Sequence, residues 1–394
     1  MSTSIRATLI ELFSRIIPLK EDKKDGDVYW NDVDNLYPNR IERIVNNSPT
    51  ASRASRIMGK YISGKGLVLE SQDVIVNKAK NYKLSNVISI CGQNMAKQGG
   101  VFIHVGFGLN DDLTGVVARS LDVLDYTKCR IAKEDDDKYD GKIYYRDYCE
   151  KKTFGNNKKT DEKWFYPFNK NKDVILAQIK SDYEEKKGEP TENIAEMLPY
   201  YKGQVFYLNL TPEYKYALAP IDPNYNDADT EYRISLYENR EVRGGFLGKT
   251  AIITQGIDEE QIDAVNKNIS LWMGADGEDT ESLFRLDLAT AEDITKTMHV
   301  LQLKPNLDPK LFSEMKKDLK VSILGAFNSI PEILVLSNSG TLFGTSGEAY
   351  EQAKIFYNEQ TEDERWKLSE TLTYLGFPCE IKPIIQKEIL IPSL

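Results

Sequence analysis

The sequence predicts an α+β fold, because apolar residues follow the helical period in some stretches and the strand period in others. Helical spacing is found before residue 100 and again after residue 225. Between residues 101 and 210, short runs rich in β-branched and aromatic residues are typical of β-strands. With 394 residues, the chain has enough material for two or three domains.

The first hundred residues carry the start and stop signals of several helices. Asn35 is the expected N-cap of the second helix, whose first turn contains Pro38. Ser48 precedes the third helix, and Gly64 and Gly99 are the expected stops of the third and fourth. The predicted helices span residues 5–17, 39–45, 50–62 and 84–98.

Strands are predicted from residue 101 onward. His104 lies inside the first of them, so we interpret it as a hydrogen-bonded strand residue rather than a base. Glu134–Asp137 is expected at a solvated hairpin tip, and residues 171–204 are expected to form a loop with some helix. The predicted strands are VFIHVGF, GVVARSLDVL, CRIAKE, KIYYRDY, KWFYPF and QVFYLNL.

The second half begins with a helix at Asn226–Arg243 and a strand at residues 250–254. A helix at residues 259–273, an acidic turn and two further strands are expected to follow. Another long helix, Asp308–Phe327, carries apolar residues at i, i+4 spacing, which predicts one continuous buried stripe. Beyond Pro331 we expect a polar loop, one long helix at Glu348–Leu372 and a strand-like tail. The stripe consists of Leu311, Met315, Leu319 and Ile323.

Composition excludes several classes of protein. The net charge of −10 argues against a protein that binds nucleic acid tightly over its whole surface. No apolar run approaches the ~20 residues that span a bilayer, and the first residues lack a secretory cleavage site. Four separated cysteines indicate reduced, buried thiols of a cytosolic environment, and two distant histidines exclude a histidine-rich metal site. We therefore expect no metal and no cofactor.

One segment resembles a phosphate-binding loop, Gly244–Thr250 (GGFLGKT). The motif requires a glycine where Arg243 stands, and it requires a strand before the loop and a helix after it. Here the predicted order is reversed. A nucleotide-binding enzyme built on this segment remains the alternative from another functional class.

Three further stretches, taken in order, resemble the portal (head–tail connector) proteins of tailed bacteriophages. The first is DNLYPN at Asp34–Asn39, continued by NSPT and ISGKGL. The second, Ala326–Leu334, is similar to the step of that family from a helix through Ile-Pro to Leu. The third, Gly344–Tyr350, resembles the polar loop that leads into a long helix. Because few residues follow that helix, a large helical crown is not expected.

The resemblance implies a ring, commonly of twelve subunits, at one capsid vertex. Each subunit would have a mixed α/β wing, a two-helix stem and a small α/β clip. It would also have a tunnel loop in the DNA channel, a long wing helix and little or no crown. The implied boundaries are 1–225 for the wing, 226–245 and 308–329 for the stem helices, 246–307 for the clip, 330–347 for the tunnel loop and 348–394 for the wing helix and C-terminal strand.

The resemblance also implies roles, partners and a location. It implies a non-enzymatic channel for packaging and ejecting double-stranded DNA, located in the virion and, during assembly, in the host cytoplasm. Expected partners are copies of itself, the large subunit of the terminase motor, capsid or scaffold protein, neck proteins and the passing duplex. Another ring-forming head or neck protein is a further alternative.

Particular side chains are assigned to these roles. The stem residues are expected to close the ring, and the acidic clip to meet the motor without holding phosphates. The uncharged tunnel loop is expected to contact moving DNA through transient hydrogen bonds. The assigned residues are Ile234, Leu311, Met315, Leu319 and Ile323 for the stem; Asp276, Glu278, Asp279 and Glu281 for the clip; and Ser337, Asn338, Ser339, Gly340 and Thr341 for the loop.

Overall fold

The computed structural model has the expected α+β class, with helices packed around a six-stranded sheet. No helix within the described part of the chain is both long and apolar enough to cross a membrane. The structure describes residues 28–68, 73–112, 115–133, 141–149, 163–188, 191–243, 250–255, 284–288, 298–302, 309–335 and 347–384.

Three of the predicted N-terminal helices are present in the structure. The helix predicted at residues 5–17 lies outside the described residues. The Ser48 side chain accepts a hydrogen bond from the Ala51 N–H, which caps the second helix. Gly64 and Gly99 end the second and third helices with positive φ, as expected of helix stops. The helices are α1 (Tyr37–Asn47), α2 (Pro49–Ser63) and α3 (Leu84–Gln98).

The prediction that Asn35 caps α1 is wrong. Leu36 occupies the N-cap position, and no side chain caps the helix. Asn35 has a φ of 61°, and its side-chain oxygen accepts hydrogen bonds from the Asn31 N–H and from Nε of the buried Arg130. The Asn35 side chain is therefore bonded to Arg130, a strand residue distant in sequence, and holds the loop before α1 instead of capping the helix.

The strand-rich segment forms the six-stranded sheet in the order β4-β3-β8-β7-β6-β5. All neighbours are antiparallel except β7 and β8, which are parallel. Each predicted strand is present. The strands are β3 (Gly100–Leu109), β4 (Val116–Val123), β5 (Cys129–Ile131), β6 (Ile143–Tyr145), β7 (Lys163–Pro167) and β8 (Gln204–Asn209); β1 (Ile75–Asn77) and β2 (Tyr82–Lys83) form a separate pair.

The segment predicted as a loop with some helix is mainly helical. Its α4 (Lys172–Lys187) begins at Asn171, whose side chain accepts from the Asp173 N–H, and ends at Gly188 in the left-handed conformation. A short helix, α5 (Ile194–Met197), follows it. The helix α4 is longer than predicted, because high charge density is typical of a solvated helix face as well as of a loop.

The second half confirms two long helices and the strands between them. They are α6 (Tyr225–Arg243), β9 (Thr250–Gln255), β10 (Phe284–Leu288), β11 (Met298–Gln302) and α7 (Pro309–Ala326). The strands form a three-stranded sheet in the order β10-β9-β11. The helix predicted at residues 259–273 lies outside the described residues.

The single long helix predicted at Glu348–Leu372 is wrong, because the helix is interrupted at Thr361. The Thr361 hydroxyl donates to the Tyr357 carbonyl, and Arg365 donates to the Asn358 carbonyl. Side chains thus take carbonyls that a continuous helix would pair with backbone N–H groups. The elements here are α8 (Glu332–Val335), α9 (Gly347–Gln360) and α10 (Glu362–Tyr374).

The described part of the C-terminal tail is extended, as expected. The Lys382 N–H donates to the Gly66 carbonyl, and Leu67 and Ile381 form an isolated antiparallel bridge. Residues 385–394 lie outside the described residues.

The main hydrophobic core is formed by α1–α3 and β3, together with residues from the start of α6, the end of α7 and α9–α10. Three cysteines are buried as expected, but Cys149 is exposed.

Candidate functional site

The helices α6 and α7 carry the residues assigned to ring formation. The chain divides into two compact units, and both boundaries fall inside these helices. One unit contains residues 1–228 and 321–394, and the other contains residues 229–320. Each helix therefore contributes residues to both units, which are described separately below.

In the larger unit, the end of α7 lies in the main core. Ile323 is completely buried, as is Phe327, and both belong to the same cluster as Tyr225 of α6. Polar contacts accompany them: Asn224 Nδ2 donates to the Ser322 hydroxyl at 2.6 Å, and that hydroxyl donates to Asp227. Burying such side chains is worth about 1.5–3 kcal/mol each, so this end of α7 stabilises the subunit itself.

In the smaller unit, the apolar side chains of the two helices are used differently. Ile234 and Leu319 are buried, and Lys316 pairs with Glu238 across the helices. Met315 is 38% exposed and Leu236 is 41% exposed. In the single subunit, the predicted stripe is buried at Leu319 and Ile323 but not at Met315. Leu311 lies near the start of α7, and its side chain is outside the described part of the structure.

The exit from α7 is built from residues with unusual backbone angles. Asn328 and Ser329 follow one another with φ values of 55° and 53°, a left-handed conformation that asparagine tolerates but that costs a residue such as serine about 1–2 kcal/mol. The Asn328 side chain donates to the Gln360 carbonyl at 3.0 Å and to Glu364 at 2.9 Å. The chain thus leaves α7 in a fixed direction beside the interruption between α9 and α10.

A further hydrogen bond fixes the chain just before the segment predicted as the tunnel loop. The Tyr357 hydroxyl donates to the Phe327 carbonyl at 2.9 Å. The Ile330 N–H returns to the Leu324 carbonyl, after which Pro331 leads into α8. The assigned loop residues Ser337, Asn338, Ser339, Gly340 and Thr341 lie outside the described residues, as do the clip residues Asp276, Glu278, Asp279 and Glu281.

Asn328 was not predicted to hold the exit from α7, although the sequence contains a signal for it. Asparagine tolerates the left-handed conformation better than most residues, and this one stands at the end of a helical pattern shortly before a proline. The pattern indicates a helix stop but does not identify the distant carbonyl that the side chain binds.

The segment that resembles a phosphate loop is preceded by α6 and followed by β9. This order is opposite to that of a phosphate-binding loop, as the sequence predicted. Residues 244–249 lie outside the described residues.

His104, Cys91 and Cys379 are engaged in packing. His104 Nε2 lies 2.9 Å from the Lys202 carbonyl, and burial lowers the pKa of the imidazole. Burial raises the pKa of the Cys91 thiol and raises the pKa of the Cys379 thiol to about 11. Within the described ranges, no group of three or more metal-ligating side chains comes together.

Comparisons with known proteins give structural likeness only. No protein-family model matches the chain, and no curated protein matches it. A chain in the neck of a native gene transfer agent (GTA) particle, computed with C12 symmetry, is 13% identical with a TM-score of 0.48, over 93% of this chain and 87% of that one. A chain in the neck of the empty particle, computed with C6 symmetry, is 13% identical with a TM-score of 0.49, over 93% and 88%.

A chain of the native GTA virion is also 13% identical, with a TM-score of 0.46 over 92% of this chain and 87% of that one. Likeness at this level assigns no family and no activity to the chain.

Proposed function

We propose that this chain is a portal protein. In this proposal, copies form a ring, commonly of twelve, at one capsid vertex, and double-stranded DNA passes through the ring during packaging and ejection. The ring docks the terminase motor and later the neck proteins, it contacts capsid or scaffold protein, and it has no catalysis of its own. The support comes from the order of the three resembling sequence stretches and from the two long helices that flank a small strand-containing segment.

The observation that carries the proposal is the exposure of Met315 and Leu236 on these helices. An exposed apolar side chain is ordinary when it is isolated, but Met315 interrupts a stripe whose later members, Leu319 and Ile323, are buried. The apolar spacing of α7 continues past the residues that the subunit's own core covers. The helix therefore presents apolar surface that a second copy can cover. A head-to-tail contact of identical copies that closes on itself gives a ring.

Charge is consistent with a conduit. The subunit has a net charge of −10, and duplex DNA carries one negative charge per ~1.7 Å of its axis. An acidic channel repels the phosphates, so the duplex moves without being held. The acidic clip turn, with Asp276 and Glu278, is proposed to meet a basic surface of the motor, where many weak ion pairs act together around a ring.

The channel is tested in a packaging assay that measures nuclease-protected DNA in capsids carrying the ring. Replacing both Ser337 and Thr341 by Lys should slow packaging, because added cations in the tunnel loop would bind the phosphate backbone. Replacing the same two residues by Gln is the matched control for side-chain size and should package at the normal rate. If the lysine variant packages normally, the loop does not line the channel.

A further inference from the structure

The exposed face of α2 carries three cations. Its buried face contains Ala51, Ala54, Met58 and Ile62, all at helical spacing. On the opposite face, Arg53, Arg56 and Lys60 occupy positions i, i+3 and i+7, and all three are exposed. No carboxylate of the described region pairs with any of them. We call this row the basic stripe.

The exposed face of α10 has the opposite character. Glu362, Trp366 and Glu370 occupy positions i, i+4 and i+8, while Leu368 and Leu372 lie on the buried side. The Trp366 side chain is 58% exposed, and neither glutamate has a cation at ion-pair distance within the described region. We call this row the acidic stripe.

The fold itself does not account for either stripe. The helices are held by their buried faces, and Arg365, on the inner side of α10, donates to the Tyr61 carbonyl of α2 at 3.1 Å. Removing the outer side chains would leave those contacts in place. An exposed tryptophan between two exposed carboxylates is a surface that a cation-bearing partner fits, because an arginine can stack on the ring while its neighbours meet the acids.

The basic stripe on α2 of the same chain is a cation-bearing surface of this kind. Along a helix, Arg53 to Lys60 spans about 10 Å, and Glu362 to Glu370 spans about 12 Å, so the two rows match in length. We infer that, in the ring of the proposed function on which this inference rests, the acidic stripe of one subunit lies against the basic stripe of the next. Subunits with a net charge of −10 repel each other, and this contact offsets that repulsion where the copies meet.

The contact has the features of a specific interface. Arg56 lies within the basic stripe and Trp366 lies at the middle of the acidic stripe, so the pairing places an arginine near a tryptophan, two residue types that dominate binding energies. The flanking ion pairs are individually weak at a surface, but each is repeated at every joint of the ring. Their sign also sets the direction of the joint, because like stripes repel each other.

The test reverses each stripe separately in the full-length chain. One variant has Arg53, Arg56 and Lys60 changed to Glu, and the other has Glu362 and Glu370 changed to Lys. Assembly is measured by mass photometry at physiological salt. Each variant alone should need on the order of tenfold more protein to form rings, because several attractive pairs become repulsive together.

Mixing the two variants is the decisive step. The variant with Glu in place of the three cations has two acidic stripes, and the variant with Lys in place of the two glutamates has two basic stripes. In a ring where the two variants alternate, every contact again pairs an acidic stripe with a basic one. The equimolar mixture should assemble as the wild type does. A matched control changes Lys172, Lys180 and Lys186 on the exposed side of α4 to Glu, which is the same charge change elsewhere, and should assemble normally.

The possible results distinguish a failure of the stripe contact from a failure of ring formation itself. If both variants form rings like the wild type, or if their mixture fails to recover assembly, the stripes are not the subunit contact. If the basic variant keeps its rings but loses binding to a duplex DNA probe, the basic stripe faces nucleic acid and the inference is overturned. If the wild type itself forms no ring, the proposed function fails first.

Discussion

Apolar side chains are buried at the C-terminal end of α7 and exposed earlier in the same helix. At the end that joins the main core, Ile323 and Phe327 are fully buried. In the smaller unit, Met315 of the same apolar row is exposed, as is Leu236 of α6. One stripe in the sequence therefore has two environments in the subunit, because its last turns are buried and Met315, in an earlier turn, is exposed.

The largest expected effect comes from the buried end. Phe327→Ala should lower the free energy of unfolding by about 3–5 kcal/mol, because it removes a fully buried ring and leaves a cavity. The same substitution at Phe356, which is 44% exposed on α9, should cost far less. Urea unfolding of both variants measures the difference, and equal losses would contradict the assignment of this end to the core.

A smaller loss is expected where the chain leaves α7. Asn328→Asp keeps the side-chain size but replaces the amide donor with an acceptor facing the Gln360 carbonyl and the Glu364 carboxylate. The free energy of unfolding should fall by about 1.5 kcal/mol, because both acceptors lose their donor and the new carboxylate repels that of Glu364. Asn46→Asp, at an exposed position of α1, is the control, and thermal unfolding measures both. A loss no greater than that of the control would mean that this joint contributes little.

The neighbouring residue should respond in the opposite direction. Ser329→Gly should raise the free energy of unfolding by about 1 kcal/mol, because glycine adopts a φ of 53° without the cost borne by serine. Chemical denaturation of the variant beside the wild type measures the gain. An unchanged or lower stability would show that the exit from α7 is not strained.

Much of the fold could be predicted from sequence, because its signals are local. Ser48 caps α2 and Gly99 ends α3 through contacts within a few residues, and alternating apolar residues mark the strands. The interruption at Thr361 could not be predicted in this way. Its surroundings include Asn328, more than thirty residues away, whose side chain reaches the Gln360 carbonyl only in the folded chain.

The candidate site shows the same limit. The spacing of Leu319 and Ile323 predicted a buried face, and both residues are buried. Spacing alone could not show that the subunit's own core stops short of Met315, because the extent of a packed surface depends on what other elements cover. A Leu319→Asp variant would therefore disturb folding and assembly together, because Leu319 is buried in the subunit, whereas a change at the exposed Met315 tests assembly with less effect on folding.

Mass photometry of Met315→Asp beside the wild type tests directly whether the exposed part of α7 holds a ring together. Rings are expected for the wild type and folded single subunits for the variant, because Met315 is 38% exposed in the subunit and the substitution places a charge in the contact between copies. Val33→Asp, at an exposed apolar position in the loop before α1, should still form rings. If Met315→Asp assembles like the wild type, the exposed part of α7 does not hold the ring together.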